Sequence, residues 1–154
     1  MTHFEYVSSG RECAKKGEID KAIADYNEGI RLDPNNALAY TWRIEVYKRK
    51  GNCELEMIKD YSELIRIDPN YASPYYQRAY LYEKKGGYDK AIADYSEAIR
   101  CGYQHLYSSR GKLYMEKGNY DKAIADFEAK LKIEPDNDVA KEMLEEAISK
   151  KNKK

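Results

Sequence analysis

Apolar residues along this chain recur three and four positions apart, in short stretches separated by polar turns. Tyr107, Gly111 and Tyr114 mark one such stripe, and Ala123, Phe127 and Leu131 mark the next. This is the spacing of amphipathic helices that each bury one face. Between the two stripes lies Lys117-Gly118, and the same pair recurs at Lys16-Gly17, Lys50-Gly51 and Lys85-Gly86. Glycine just past a helix tolerates the left-handed conformation, so each pair predicts the end of a first helix and a turn into a second. Asp20, Asp89 and Asp121 follow at the start of second helices, where negative charge suits the helix dipole. Asp33-Pro34, Asp68-Pro69 and Glu134-Pro135 close second helices, because proline disfavours helical geometry in the residue before it. The pattern predicts a succession of helix hairpins.

The hairpins are copies of one another. YDKAIADYSEAIR from Tyr88 to Arg100 reappears as IDKAIADYNEGIR from Ile19 to Arg31 and as YDKAIADFEAKLK from Tyr120 to Lys132, with a blurred copy, MIKDYSELIR, from Met57 to Arg66. The period is about 34 residues, and a single such unit cannot bury its own apolar face, so neighbours must stack. From Tyr107 the frame reads Tyr107, Arg110, Gly111, Tyr114, Gly118, Tyr120, Ala123, Phe127 and Pro135. With these intervals the chain resembles the tetratricopeptide repeat family over nearly its whole length. The resemblance implies an all-α fold: a right-handed superhelical array of four hairpins in one domain over 1–154. The repeats are set at 3–36, 37–71, 72–103 and 104–137, with a capping helix over about 138–150 that puts Val139, Met143, Leu144, Ala147 and Ile148 on one side.

Departures from the repeat carry expectations of their own. Small residues pair where the two helices of a hairpin cross, as Gly10 with Ala22, Ala79 with Ala91 and Gly111 with Ala123, whereas the second repeat has Ile44 and Met57 and one extra residue after Gly51. A wider hairpin is expected there. Cys101-Gly102-Tyr103 replaces a proline junction, with Gly102 as helix terminator. Arg43, Arg78 and Arg110 stand where the family more often has leucine, the first repeat has Ser9 instead, and every second helix carries an aspartate, Asp25, Asp60, Asp94 or Asp126. Because only the first repeat lacks both the arginine and a predecessor, each arginine is expected to reach back one repeat: Arg43 to Asp25, Arg78 to Asp60 and Arg110 to Asp94.

Composition narrows the function. Twenty-seven basic residues balance 27 acidic ones, so no overall field draws the chain to nucleic acid or an anionic membrane, and neither is expected as a partner. The cysteines Cys13, Cys53 and Cys101 are odd in number and lack CxxC spacing. That fits reduced thiols and a cytoplasmic location, as does an N-terminal stretch with no apolar run. Cys13 and Cys101 read as buried thiols and Cys53, in the enlarged turn, as the accessible one. His3 and His105 have no Cys or His at ligand spacing, so no metal or cofactor is expected, and no constellation of nucleophile and base points to an enzyme.

Function is therefore sought on the helix face that the resemblance turns toward a concave groove. Most of the 16 tyrosines fall on the repeat frame, where aromatic packing accounts for them; Tyr71, Tyr76, Tyr80 and Tyr103 do not. Trp42, Tyr76 and Tyr80 are large amphipathic residues on that face, of the type that anchors protein interfaces. Arg11, Arg49, Lys84 and Lys112, with Glu45 among them, would hold charged groups of a protein or peptide partner. Co-chaperone relatives clamp the C-terminal carboxylate of heat-shock chaperones with lysine, asparagine and arginine. Here the matching positions hold Val7, Arg11, Trp42, Ser73 and Gln77, so that partner is not expected. The alternative reading is a structural or regulatory subunit that self-associates as a homo-oligomer through repeat ends or the convex face.

Overall fold

The structure, a computed structural model, describes residues 1–153. Among the described residues there are nine α-helices and no strand: α1 His3–Lys15, α2 Ile19–Leu32, α3 Ala37–Lys50, α4 Glu54–Ile67, α5 Ala72–Lys84, α6 Tyr88–Arg100, α7 Tyr107–Glu116, α8 Tyr120–Ile133 and α9 Asp138–Asn152. Successive helices pair as the hairpins α1/α2, α3/α4, α5/α6 and α7/α8. The chain divides into two compact units, Met1–Asn70 and Tyr71–Lys154. The first holds two hairpins; the second holds two more and α9.

Local chemistry sets the helix ends. Thr2 and Glu5 form a reciprocal cap on α1: the Glu5 amide donates to Thr2 Oγ1 at 3.3 Å and the Thr2 amide donates to Glu5 Oε2 at 2.7 Å. Asn36, Asn119 and Asn137 cap α3, α8 and α9 in the same sense, each accepting a backbone N–H three residues on. After α1, Gly17 takes φ 81° and the Glu18 amide donates back to Cys13 O at 2.9 Å, a left-handed helix stop that a β-carbon would strain. The second hairpin turns differently. Gly51 and Asn52 both have positive φ, 76° and 52°, so the extra residue is absorbed as a second left-handed step. The chain then runs into Cys53, which is buried rather than accessible, its Sγ donating to Gly51 O at 3.1 Å. Cys13 and Cys101 are half-buried.

Each unit has its own core. In the first, Val7, Ala22, Tyr26, Ala39 and Val46 pack together. Gly10 is required there by proximity, since a β-carbon on it would lie 2.8 Å from the Tyr26 ring. Ile44 and Met57 are both buried, filling the crossing of the second hairpin. In the second unit, Ala123, Phe127 and Ala147 form a core joined by Met143 and Leu144. The expected stripe on α9 is too broad. Ala140 and Ala147 are buried, whereas Val139 and Ile148 are 60% and 42% exposed, because a helix set down on two alanines lies too flat to cover the residues at its flanks.

The arginines depart from expectation in an instructive way. Arg43 donates from Nε and Nη2 to the Asp60 carboxylate at 2.9 and 2.5 Å, Arg78 to Asp94 at 2.7 and 2.7 Å, and Arg110 to Asp126 at 2.9 and 2.6 Å. Each pair is bidentate, buried and internal to its own hairpin, not directed to Asp25, Asp60 and Asp94 of the preceding one. The backward reach exists, but through another nitrogen to a neutral acceptor: Arg43 Nη1 donates to Asn27 Oδ1 at 2.5 Å and Arg110 Nη1 to Ser96 Oγ at 2.8 Å. In the first hairpin, with Ser9 in place of arginine, Asp25 accepts only a long contact from Cys13 Sγ at 3.8 Å.

Candidate functional site

The first unit brings four of the proposed contact residues together. Trp42, Glu45 and Arg49 are three and four residues apart on α3 and so share a face, and that face meets Arg11 on α1. The Arg11 guanidinium sits over the Trp42 ring, 4.7 Å from its centroid, a cation–π contact. Arg49 Nη1 donates to Ala14 O at 2.7 Å, and Glu45 accepts from Lys48 Nζ at 2.6 Å. Together with Ala14, Lys15, Tyr26 and Val46 these residues line a pocket of about 170 Å³. Trp42 is not splayed into solvent. It is half-buried against the unit's core, and its position is held by packing below and a guanidinium above.

One residue that lines the pocket carries a polar atom with no partner. Tyr26 is fully buried and its hydroxyl makes no hydrogen bond. Burial pushes its pKa up to about 12, against a smaller opposing pull from Arg11. Neither Arg11 nor Arg49 is paired with a carboxylate among the described residues. The residues lining the pocket therefore combine apolar side chains, two guanidinium groups without a carboxylate among the described residues, and a tyrosine whose buried hydroxyl is unsatisfied.

In the second unit the remaining candidates do not converge on one pocket. Tyr80 is 48% exposed and Lys84 Nζ lies 5.8 Å from its ring centroid. Tyr76 belongs to an aromatic trio instead, 6.3 Å from Tyr103 and 6.4 Å from His105, which are themselves 5.2 Å apart. Lys112 is exposed on α7. Tyr103 and His105 were not among the expected contacts; a short 3₁₀ turn over Gln104–Leu106 carries them to Tyr76.

Sequence reasoning also missed the pairing between the aromatic residue of each second helix and the residue three before each turn glycine. In the third hairpin Tyr95 donates its hydroxyl to Glu83 Oε2 at 2.6 Å. In the second, Lys48 interacts with the Tyr61 hydroxyl. In the fourth the aromatic residue is Phe127 and the matching residue Met115 packs in the same cluster. In the first, Tyr26 meets Ala14. Comparing those two columns of the repeat would have exposed the mismatch.

No helix among the described residues is long and apolar enough to cross a membrane. Nor does any group of His, Cys, Asp and Glu among them have the arrangement of a metal site.

Comparison with known proteins agrees with the geometry. Family models for the TPR repeat match residues 10–51, and models for the tetratricopeptide repeat match 61–93 and 104–137. The unmatched intervals contain the enlarged turn after Gly51 and the irregular joint at Gly102. The chain belongs to the tetratricopeptide repeat family, and it is a protein-interaction scaffold of that kind. Among solved structures it is similar to a crystal structure of MamA protein, at 25% identity and TM-score 0.76, over 97% of this chain and 82% of that one. A second MamA structure matches at 24% identity and TM-score 0.67 over 94% and 95%. A tetratricopeptide repeat protein from Parabacteroides merdae matches at 22% identity and TM-score 0.74, over 96% of this chain and 60% of that one. No curated protein sequence matches.

Proposed function

We propose that this chain is a noncatalytic, cytoplasmic scaffold that binds a peptide or protein segment along its first helices, with the cleft of the first unit as anchor. The observation that carries this is the convergence of Arg11, Trp42, Glu45 and Arg49 on one pocket. Folding alone has no need of two unpaired guanidinium groups beside a half-exposed indole, whereas interfaces favour tryptophan and arginine in partly formed pockets. Tyr76, Tyr80, Lys84 and Lys112 are separate candidate contacts on the second unit.

The test is quantitative affinity capture with the native chain and with Trp42→Ala. At least one partner should be recovered by the native chain and lost with the variant, while circular dichroism stays unchanged. Equal recovery of every partner by both proteins overturns the assignment of the cleft.

A further inference from the structure

The four hairpins treat one buried position in four ways, and three of them are self-consistent. Tyr95 has a carboxylate, Glu83, as its acceptor. Tyr61 has Lys48 beside it. Phe127 has no hydroxyl to satisfy, and Met115 packs in its cluster. Only the first hairpin leaves a hydroxyl with nothing to bond, because Ala14 ends at its β-carbon where the third hairpin extends a glutamate. The hydrogen bond is left unmet, and Ala14 and Tyr26 both line the 170 Å³ pocket. A cavity of about 150 Å³ admits a benzene-sized group, so a carboxylate on two methylenes fits.

Charge around the pocket selects the same group. Arg11, Lys15 and Arg49 line it against a single acid, Glu45, which is already engaged by Lys48. Lys15 in turn pairs with Glu12 at 2.9 Å, leaving Arg11 and Arg49 as the lining cations without a carboxylate among the described residues, Arg49 with one nitrogen on Ala14 O. A guanidinium favours carboxylate geometry and a buried phenol donates most strongly to an anionic oxygen. We propose that this pocket receives a glutamate side chain of the bound protein segment, whose carboxylate accepts from the Tyr26 hydroxyl and pairs with Arg11 or Arg49. The partner thereby supplies in trans what Glu83 supplies within the third hairpin. The inference rests on the proposed role of the cleft and adds the chemistry of what enters it. It is distinct from the co-chaperone clamp, whose residues are absent here.

Trp42 is the only tryptophan in the chain, so its fluorescence and its indole N–H resonance report directly on the pocket. The probes are N-acetyl-L-glutamate N-methylamide and its neutral glutamine isostere, titrated at constant ionic strength. The glutamate probe should produce a saturable change and the glutamine probe one at least about tenfold weaker, the margin of a hydrogen bond to a charged group. Tyr26→Phe should weaken the glutamate probe by a similar factor. Ala14→Glu, carrying its own carboxylate, should abolish the response. Thermal unfolding midpoints at or above that of the native chain establish that both variants are folded. Equal or absent responses to the two probes, an unchanged titration in Tyr26→Phe, or retained uptake in Ala14→Glu each overturn the proposal. If the probes fail while partner capture still depends on Trp42, only the carboxylate assignment falls. If capture does not depend on Trp42, the role of the cleft falls with it.

Discussion

Tyr26 in the first hairpin and Tyr95 in the third occupy the same place in the repeat, and both are buried to within 2% of their surface. Around Tyr95 the hairpin is closed: Glu83 accepts its hydroxyl, Ala79 stands at the helix crossing, and Arg78 holds Asp94 on the neighbouring turn. Around Tyr26 each of those parts is reduced. Ala14 replaces the glutamate, Gly10 the alanine and Ser9 the arginine. The ring consequently lies so near α1 that a β-carbon on Gly10 would come within 2.8 Å of it. The hydroxyl is buried there without an acceptor. One hairpin satisfies its buried tyrosine and the other leaves it unpaired beside a pocket, a difference that the proposed role of the cleft would use.

The largest effect that separates them concerns the ion pairs. Arg78→Ala should destabilise the second unit by about 3–5 kcal/mol, because it leaves the Asp94 carboxylate buried and uncompensated. Asp25→Ala in the first hairpin should cost no more than about 1 kcal/mol, since it removes only a long contact to Cys13. Urea unfolding followed by hydrogen exchange at each unit measures both; equal costs would erase the distinction.

Crossing distance comes next. Gly10→Ala should destabilise by about 1–3 kcal/mol through the forced shift of Tyr26, and the shift should appear as a changed Trp42 emission. Ala79→Gly in the third hairpin should leave Trp42 emission untouched.

A smaller but opposite pair of effects involves the hydroxyls. Tyr95→Phe should cost about 1–3 kcal/mol by removing the donor to Glu83, whereas Tyr26→Phe should be neutral or stabilising by up to about 1 kcal/mol, because it deletes a polar group that was buried without a partner. The sign difference in denaturation midpoint is the measurement, and two losses of equal size would show that Tyr26 has an acceptor after all.

The last effect is absent at neutral pH and confined to the alkaline range. The Tyr26 pKa is raised from 10.0 to about 12 by burial. Its contribution is therefore complete below pH 10, where folded and unfolded chains both keep the proton. It declines as pH rises toward about 12, because the unfolded chain ionises first. Tyr26→Phe should remove that part of the alkaline decline, which denaturation curves between pH 9 and about 12 would reveal.

Much of the fold was legible because its determinants are one-dimensional. The glycine stops, the proline exits and the three-and-four spacing of Ala22, Tyr26, Ala123 and Phe127 act within a turn or two of their own position. The arginine pairing was not legible in that way. Arg43 stands on a first helix between two second helices, and residue types alone assign it equally well to Asp25 or Asp60; only distance decides, and it decides for Asp60 at 2.5 Å. The absence of arginine from the first repeat was a correct observation attached to the wrong acceptor. Cys53 was misplaced for a related reason, since an extra residue in a turn reads as exposure until the second left-handed step at Asn52 folds the chain inward. For the candidate site, the surface residues Arg11, Trp42, Glu45 and Arg49 were readable from their helical face. The pocket beneath them was not, because it is made by Ala14, a side chain too short to attract notice unless set against Glu83.

The third nitrogen of Arg43 and Arg110 bears on how the hairpins can be reordered. Each guanidinium fastens its own aspartate with two nitrogens and touches the hairpin before it with the remaining one. A permuted chain that carried the second hairpin to the front would lose the bonds from Arg43, Arg49 and Lys50 to Asn27, Ala14 and Asp20 of the first, and keep its buried pair intact. A chain that carried the first hairpin to the interior would place Ser9 at a joint with no guanidinium at that position to bridge it. The copies are alike in shape yet directional in assembly, as bricks with a dowel on one face and a socket on the other.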